Sequence, residues 1–428
     1  MPNRLIIEGG KKLNGQIKIS GSKNAALAIM AATILANKKV TLENLPHLTD
    51  IATMSHLLTS LGVKLSFRGN GNSDDARGKT MIFDAKSINN LTAKYSIVSK
   101  MRASILVLGP LLAKYGKAKV SLPGGCAIGS RPIDLHLKAL EKLGAEIKIK
   151  DGYVIAEAKK GLTGNEIEFS KISVGATENI IMAATIAKGT SVIKNAAIEP
   201  EIIDLINFLK LLGAKISVKN REITINGVKT LNGGNYIISP DRIEAGSYAV
   251  ATIASKGKVF FPNLELEIFT PIKEQLEALG GILKKKNNGI EISYLKTDKK
   301  NNYIIETSEY PGFPTDMQAQ FTAALLNQNY NSTIYEKIFE NRFMHIEELK
   351  RMSANLNISD NNVKISPSKL SGTKVNASDL RASMALIIAA LIADGKTTIY
   401  EIHHLDRGYE LLEEKLARCG AKIFREYY

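Results

Sequence analysis

The sequence predicts an α/β protein built from six repeats, in which the helices are buried and the sheets lie outside. Three segments recur in the same order: an almost wholly apolar helix, a strand of alternating polarity, and a second helix that ends at a glycine. A helix that is apolar on all sides is buried, whereas an alternating strand leaves one face of its sheet in water. Helices inside and sheets outside are the reverse of an ordinary barrel.

The apolar helix opens each repeat, and a strand follows it. The six helices are predicted at NAALAIMAATILA, ASILVLGPLLA, ENIIMAATIA, EAGSYAVATIA, QAQFTAALL and ASMALIIAALIA. The strands that follow them are KVTLENL, KVSLPG, TSVIKNA, KVFFPNL, STIYEK and TTIYEI. Recurrence of one helix–strand unit along the whole chain is typical of a repeat architecture.

The second helix of each repeat ends in a motif of the form L-x-x-L-G-A, and a short alternating strand follows the motif. The glycine position recurs every 67 to 82 residues, at Gly62, Gly144, Gly213, Gly280, Ser353 and Gly420. Helices commonly end at a residue in the left-handed conformation, which glycine adopts without strain. We expect this position to end the second helix of each repeat in that way.

A tail of the form K-x-L-x-G closes the repeats and indicates how the chain is divided. The sixth repeat has no tail after it, whereas residues 1–20 are a tail with no repeat before them. The sequence therefore predicts two three-repeat domains, one of residues 21–239 and one of residues 1–20 plus 240–428. We expect a hinge where the chain crosses between them, near 20–21 and 239–240. Two domains also suit a chain of 428 residues.

Composition argues against several classes of protein. The net charge of +15 comes largely from lysines scattered through turns, without the interleaved aromatic residues of a single-strand binding face. It therefore favours small anionic substrates over nucleic acid. The longest apolar runs have twelve residues, too few to cross a bilayer. The opening MPNRLIIEGG has no basic region followed by an apolar stretch. We expect a cytoplasmic protein with no obligate protein partner.

The segment Ser121–Leu135, SLPGGCAIGSRPIDL, is the strongest candidate for a functional loop and is called the Cys126 loop below. Turn residues surround Cys126, and Arg131 follows five residues later. A nearby cation lowers the pKa of a thiol and makes it reactive. Cys419 instead occupies a leucine position of the repeat, so we interpret it as a core residue. Two cysteines so far apart predict neither a disulfide framework nor a zinc site.

Charged residues recur at equivalent positions before the two helices of each repeat. Those before the first helix are Lys23, Arg102, Arg242, Asp316 and Arg381, with Thr177 and Glu178 in repeat three. Those before the second helix are Asp50, Arg131, Glu201, Arg342 and Arg407. A cation at a helix start opposes the helix dipole, so its recurrence indicates an anion shared by the two halves. The alternative for any single arginine is an ion pair with a nearby carboxylate.

Several motifs, taken in order, resemble the enolpyruvyl transferase family, and within it the bacterial UDP-N-acetylglucosamine 1-carboxyvinyltransferases. They are GSKNAA (21–26), KMRAS (100–104), SLPGGCAIGSRPIDLH (121–136), KISVGAT (171–177), PDRIEAG (240–246), FPTDMQAQF (313–321), FENRFMH (339–345), DLRAS (379–383) and DRGYE (406–410). The resemblance implies a two-domain inverse α/β barrel with its active site in the interdomain cleft. It implies transfer of enolpyruvate from phosphoenolpyruvate to the sugar 3-hydroxyl of UDP-N-acetylglucosamine, with release of phosphate. That reaction is the first committed step of peptidoglycan precursor synthesis.

The resemblance also implies roles for individual residues. By the resemblance, the catalytic residues are Cys126, Asp316, Lys23 and Arg407. Cys126 is the general acid and can also carry a covalent substrate adduct. The phosphate region of phosphoenolpyruvate is assigned to Lys23, Asn24, Arg131 and Arg407, and its carboxylate to Arg342 and Arg381. The nucleotide sugar is assigned to Arg102, Arg131, Pro132, Ile133, Asp134, Leu135, Lys171, Ile172, Ser173, Val174, Asp316 and Ile338.

Residue chemistry agrees with this assignment. Phosphoenolpyruvate carries a phosphate and a carboxylate, and the planar fork of arginine suits both groups. Asp316 is the candidate acceptor of the sugar hydroxyl proton, and Cys126, on a closing lid, is the candidate donor to the methylene carbon. No cofactor and no metal is implied, and His403-His404 lacks the spaced ligands of a metal site. The loop at 69–78 is longer than the family pattern and is expected not to touch the site.

Three alternatives remain open. The first is the same fold acting on another acceptor, shikimate 3-phosphate, although that branch lacks the Cys126 loop. The second, of a different class, is an RNA-end-processing or RNA-binding protein of similar repeat architecture, which would need a nucleotidylated nucleophile or a stacking platform. The third is a catalytically silent paralogue.

Overall fold

The computed structural model describes residues 3–68, 79–123, 133–296 and 302–427. Cys126, Arg131, Pro132 and the 69–78 loop lie outside the described residues. Within these ranges the chain forms thirteen α-helices, six 3₁₀ helices and twenty-four strands. In the described residues no helix is both long enough and apolar enough to cross a membrane.

The α-helices, in chain order, are α1 (Lys23–Ala32), α2 (Thr49–Leu61), α3 (Tyr95–Val98), α4 (Leu108–Tyr115), α5 (Asp134–Lys142), α6 (Val174–Ala184), α7 (Pro200–Leu211), α8 (Arg242–Ala254), α9 (Lys273–Ala278), α10 (Gln318–Leu325), α11 (His345–Arg351), α12 (Leu380–Ile392) and α13 (Leu412–Arg418). The 3₁₀ helices are Thr33–Leu35, Ala85–Ser87, Arg102–Val107, Leu266–Ile272, Thr315–Met317 and Ile402–Arg407. The strands are β1 (Asn3–Glu8), β2 (Asn14–Gln16), β3 (Val40–Leu45), β4 (Lys64–Arg68), β5 (Lys79–Asp84), β6 (Thr92–Ala93), β7 (Lys117–Ser121), β8 (Glu146–Lys150), β9 (Tyr153–Glu157), β10 (Glu166–Glu168), β11 (Thr190–Lys194), β12 (Lys215–Lys219), β13 (Glu222–Asn226), β14 (Gly234–Ile237), β15 (Lys258–Pro262), β16 (Gly281–Lys286), β17 (Gly289–Tyr294), β18 (Tyr303–Glu306), β19 (Ser332–Tyr335), β20 (Asn355–Ser359), β21 (Asn362–Ser366), β22 (Lys374–Asn376), β23 (Lys396–Tyr400) and β24 (Lys422–Tyr427).

The described strands form six sheets of four strands, one for each repeat. Their strand orders are β14-β3-β5-β4, β6-β7-β9-β8, β10-β11-β13-β12, β2-β15-β17-β16, β18-β19-β21-β20 and β22-β23-β1-β24. In each sheet three strands pair antiparallel, and the tail strand of a repeat adds parallel to the opening strand of another. The α/β class predicted from the repeats is confirmed.

The chain divides into two compact units. One consists of described residues in 20–239, and the other of 3–19 together with described residues in 240–427; we call them the 20–239 unit and the 240–427 unit. Each has its own apolar core.

Parallel pairing closes each unit into a ring of three repeats. In the 20–239 unit the last tail strand, β14, pairs with the first opening strand, β3. In the 240–427 unit β2 pairs with β15 in the same way. Strand β1 lies between β23 and β24, so residues 3–8 complete the sheet of the sixth repeat.

The helices that open the repeats are buried, as their composition predicted. Every residue of α8 from Ile243 to Ala254 is buried, and so is every residue of α12 from Arg381 to Leu391. In the 240–427 unit these two helices and α10 contact one another. The strands outside them alternate between buried and more accessible residues, as in β9 and β23. Helices therefore form the interior and sheets the exterior of the fold.

The second helices end as expected. The backbone angle φ is positive at all six motif positions, from 69° at Ser353 to 109° at Gly213. One first helix differs from its prediction: ASILVLGPLLA forms the 3₁₀ helix Arg102–Val107 followed by α4. The α-helix begins two residues before Pro110 because proline has no N–H to donate and is tolerated only in the first turn.

Candidate active site

One charged cluster of the 240–427 unit is built around Asp316. This residue lies in the 3₁₀ turn that precedes α10. Its Oδ1 accepts a hydrogen bond of 2.6 Å from Arg342 Nη2, and its Oδ2 accepts one of 2.6 Å from Arg381 Nη2. The arginine side chains are 6% and 8% exposed, whereas that of Asp316 is 28% exposed. Two buried guanidinium groups thus converge on one carboxylate that is only partly exposed.

The two arginines fix the charge of Asp316. Burial alone would raise the pKa of this carboxyl, but the nearby charges of Arg381 and Arg342 outweigh that effect. The pKa of Asp316 is therefore held well below its usual range. In this arrangement Asp316 is an ionised hydrogen-bond acceptor with little affinity for a proton.

Glu336 fixes the backbone on both sides of this cluster. Its buried carboxylate accepts hydrogen bonds from the hydroxyls of Thr307 and Thr315, at 2.9 and 2.8 Å. It also accepts bonds from the backbone N–H groups of Ile338 and Phe339, at 2.9 and 3.1 Å. Phe339 in turn places its ring 5.4 Å from the guanidinium carbon of Arg342. One carboxylate thereby ties the Asp316 turn to the segment that leads to Arg342.

A buried polar network supports Arg381 from behind. Arg381 Nη1 donates to Tyr409 Oη at 3.4 Å, and that hydroxyl lies 2.8 Å from Ser247 Oγ. Gln320 Nε2 donates to Ser247 Oγ at 3.0 Å and to the backbone oxygen of Asp316 at 2.8 Å. The network joins α8, α10, α12 and the end of the Ile402–Arg407 turn. It holds the guanidinium group and the Asp316 backbone independently of the Asp316 side chain.

In the 20–239 unit Lys23 is the first residue of α1, where Ser22 caps the helix by accepting from Ala25 N. Lys23 Nζ lies 3.2 Å from Asp50 Oδ2, and both side chains are largely buried. Lys23, Arg342 and Arg381 are thus each paired with a carboxylate in this structure. Repeat three differs, since it carries the buried acids Glu178 and Glu201 in these positions. Burial, and secondarily the neighbouring acids Glu201 and Glu199, raise the pKa of Glu178.

A second group in the 20–239 unit forms around His136 on α5. His136 Nδ1 lies 3.1 Å from Asn179 Nδ2, and Asn179 also bonds to Gly109 N and Ile105 O. Burial, aided by the charge of Arg102, lowers the pKa of His136 to about 4, so the ring is neutral. A side chain at Gly175 would approach the ring to 3.3 Å. His136 therefore packs where the Arg102 turn and the starts of α5 and α6 meet.

The other predicted residues have varied surroundings. Asp134 begins α5 and forms a long 3.7 Å ion pair with Lys138, while Ile133 and Leu135 are buried beside it. Lys171 is exposed, and Ile172, Ser173 and Val174 are half-buried at the start of α6, where Ser173 is the cap. Asn24, Ile338 and Arg407 are half-buried.

In the described ranges no group of three His, Cys, Asp or Glu side chains could hold a metal ion.

The structure adds residues that the sequence reasoning did not single out: His136, Asn179, Ser247, Gln320, Glu336 and Tyr409. His136 and Tyr409 stand inside the motifs SLPGGCAIGSRPIDLH and DRGYE, next to residues that were assigned roles. Asn179, Ser247 and Gln320 occupy positions in apolar helices. A polar residue in such a helix is the signal that could have found them, because it needs a buried partner.

Comparison with known proteins identifies the family. Residues 7–416 match the family model described as EPSP synthase (3-phosphoshikimate 1-carboxyvinyltransferase). The UDP-N-acetylglucosamine 1-carboxyvinyltransferase of Ruthia magnifica subsp. Calyptogena magnifica is 52% identical, and that of Pelagibacter ubique 50% identical, each over 99% of both chains. The enolpyruvyl transferase NikO from Streptomyces tendae has the same fold, with a TM-score of 0.87 and 22% identity over 99% of both chains. The chain belongs to the enolpyruvyl transferase family, in the branch of the UDP-N-acetylglucosamine 1-carboxyvinyltransferases.

Proposed function

We propose that this chain transfers the enolpyruvyl group of phosphoenolpyruvate to the 3-hydroxyl of UDP-N-acetylglucosamine and releases phosphate. This is the first committed step of peptidoglycan precursor synthesis. The observation that carries the proposal is the Arg342–Arg381 pair, two buried guanidinium groups that converge on a carboxylate. Such a pair suits a substrate that is itself a carboxylate, because the planar fork of arginine matches its two oxygens. We place the reaction in the cytoplasm.

The proposed substrate contacts begin with the two anionic groups of phosphoenolpyruvate. In the 240–427 unit Arg342 and Arg381 take the carboxylate of phosphoenolpyruvate, and Arg407 takes part in binding its phosphate. In the 20–239 unit Lys23 and Asn24 take the phosphate together with Arg131. The nucleotide sugar is assigned to Arg102, Arg131, Pro132, Ile133, Asp134, Leu135, Lys171, Ile172, Ser173, Val174, Asp316 and Ile338.

The proposed chemistry is an addition followed by an elimination. The sugar 3-hydroxyl gives its proton to Asp316 as its oxygen bonds to C2 of phosphoenolpyruvate, while Cys126 gives a proton to C3. In the elimination the new methyl group returns a proton to the Cys126 thiolate as the bond between C2 and the phosphate oxygen breaks, and the proton held by Asp316 leaves with the phosphate. The products are the enolpyruvyl ether of the nucleotide sugar and inorganic phosphate. General acid catalysis of this kind contributes about 10²–10⁴-fold.

Phosphate release in the presence of each acceptor tests the reaction. We expect release with phosphoenolpyruvate and UDP-N-acetylglucosamine, and none when shikimate 3-phosphate replaces the nucleotide sugar. Phosphate release with shikimate 3-phosphate as acceptor, but not with UDP-N-acetylglucosamine, would assign the chain to the other branch of the family. Retention of labelled RNA on the protein would instead favour the nucleic-acid alternative.

Substitution of Cys126 tests the general acid. Cys126→Ser should lower turnover by about 10²–10⁴-fold, because serine is a far weaker acid, while binding of UDP-N-acetylglucosamine persists. The matched control is Cys419→Ala, since Cys419 is buried near the backbone oxygen of Gln16. That variant should keep its turnover. Phosphate release by Cys126→Ser at the wild-type rate would contradict the role.

A further inference from the structure

The Asp316 carboxylate already occupies the two arginines that we assign to the substrate carboxylate. Each of its oxygens accepts one guanidinium hydrogen bond of 2.6 Å, so both oxygens are engaged. Phosphoenolpyruvate presents the same chemical group, a carboxylate with one negative charge shared by two oxygens. Two carboxylates at one pair of guanidinium groups would repel each other, because like charges a few ångströms apart interact unfavourably. Asp316 therefore stands where the substrate carboxylate has to go.

We infer that Asp316 is an internal substitute for the substrate carboxylate, which phosphoenolpyruvate displaces when it binds, and that this displacement converts Asp316 into a proton acceptor. The inference rests on the proposed function, since it concerns the same substrate and the same residues. No covalent bond is made or broken in the exchange. One carboxylate leaves the arginine pair and another takes its place, so the pair keeps its charge balance.

The surroundings allow the exchange to involve the Asp316 side chain alone. Arg381 is also held by Tyr409 Oη, and Arg342 lies against the ring of Phe339. The backbone oxygen of Asp316 is bound by Gln320 Nε2, and the neighbouring Thr315 is bound by Glu336. Asp316 is the most exposed member of the cluster, at 28% against 6% and 8% for the arginine side chains. The arginine pair is thus preformed, and rotation of one short side chain opens it.

The exchange also supplies what the proposed chemistry requires of Asp316. While it bridges the two arginines, their charges hold its pKa well below the usual range, and a carboxylate of that kind is a poor base. Displacement removes two cationic partners and adds an anionic neighbour, and both changes favour the protonated form of the carboxyl. Asp316 then becomes a competent proton acceptor only when phosphoenolpyruvate is present. Substrate binding and activation of the base become one event.

The affinities of Asp316→Asn for two ligands distinguish competition for the arginine pair from a general repulsion between Asp316 and any bound anion. All proteins carry Cys126→Ser so that no covalent adduct forms, and calorimetric titration is done without nucleotide sugar. The ligands are phosphoenolpyruvate and vinyl phosphate, which has the same phosphate and double bond but no carboxylate. If Asp316 competes with the substrate carboxylate, Asp316→Asn binds phosphoenolpyruvate about tenfold more tightly, within the usual range of coupling between sites. Its affinity for vinyl phosphate should be nearly unchanged.

The control is Asp394→Asn, which makes the same chemical change in the exposed Lys369–Asp394 ion pair of the same unit. It should alter the affinity for neither ligand. Unchanged or weaker binding of phosphoenolpyruvate by Asp316→Asn would overturn the inference, and so would equal tightening of both ligands. If Asp316→Asn does not fold, Asp316→Ser is judged by the same ratio of affinities. Wild-type protein is assayed for phosphate release in parallel. Absence of turnover there would overturn the proposed function as well. If turnover is normal, a negative binding result overturns only the displacement of Asp316 and leaves the proposed function standing.

Discussion

At the residue scale, Tyr409 illustrates how a buried hydroxyl can organise charged groups around it. Its oxygen lies within hydrogen-bond distance of Ser247, Gln320 and Arg381, which come from three different helices. Its ring packs edge to face against Tyr248, with centroids 6.5 Å apart. Tyr248 is also fully buried, but its hydroxyl has no hydrogen-bond partner among the described residues. The two adjacent tyrosines therefore form a natural pair for comparison.

Removal of the Tyr409 hydroxyl and removal of the Tyr248 hydroxyl should have different effects on the free energy of unfolding. Tyr409→Phe leaves three polar groups without one of their partners and should lower the free energy of unfolding by about 1–3 kcal/mol. It should also raise the KM for phosphoenolpyruvate more than that for UDP-N-acetylglucosamine, because Arg381 loses a support. Tyr248→Phe removes a buried hydroxyl that lacks a partner, so its stability should be equal or higher. Denaturant unfolding and steady-state kinetics measure both variants, and a comparable loss of stability in both would contradict this account.

At the element scale, the turn that ends each second helix carries the clearest test of the repeat. Five of the six positions are glycine, but repeat five has Ser353, with φ of 69°. The left-handed conformation costs a residue with a side chain about 1–2 kcal/mol. Repeat five therefore bears a conformational cost that the other repeats avoid.

Exchange of residues at this position should reveal that cost. Ser353→Gly should raise the free energy of unfolding by about 0.5–1 kcal/mol, the conformational gain less the extra entropy of glycine in the unfolded chain. The reverse control is Gly420→Ala in repeat six, where φ is 88° and the added Cβ would have its nearest neighbour 3.9 Å away. Because space is available there, its expected loss of about 1 kcal/mol reflects conformation alone. Thermal denaturation shows whether each variant is more or less stable than the wild type. A loss of stability in Ser353→Gly would contradict the expected conformational cost.

The pattern of repeats predicts elements well because it depends on local periodicity. The buried opening helices and the alternating strands follow from residues close together in the chain, and the structure confirms them. The boundary at Arg102–Val107 was missed because apolar composition does not distinguish a 3₁₀ turn from an α-helix. The pairing of Asp316 with Arg342 and Arg381 was also missed, since it joins residues 26 and 65 positions apart. All three residues were predicted as charged groups of one site, but their mutual contact is set by tertiary packing.

At the scale of the whole molecule, each unit contains one deeply buried histidine. His136 belongs to the 20–239 unit and His345, at the start of α11, to the 240–427 unit. Burial is the main reason that the pKa of each falls to about 4, with the charges of Arg102 and Arg342 acting in the same direction. Both rings are therefore neutral in the folded protein at neutral pH.

These histidines should make the fold sensitive to mild acid. The folded pKa lies below the unfolded value of about 6.5, so between pH 6.5 and 4 the unfolded chain binds more protons, and stability falls as the pH drops. Each histidine should contribute a loss of about 3 kcal/mol over that range. His345→Gln has no titrating ring and should lose less stability than wild type between pH 7 and 4.5 in thermal melts. The control His56→Gln changes an exposed ring and should follow wild type; an identical profile for all three proteins would rule out the role of His345.

The position of β1 between β23 and β24 has a consequence for synthesis on the ribosome. Asn3 pairs with Tyr427 and Glu8 with Lys422, so β1 is held in its sheet by a strand that is translated much later. At about 5–20 residues per second, roughly 20–80 s separate their emergence. Until β23 and β24 are synthesised, Leu5 and Ile7, which are fully buried in the folded protein, lack their native sheet partners. The strands of the three sheets in the 20–239 unit are all translated before β24, so that unit can finish folding before the sheet that contains β1 is complete.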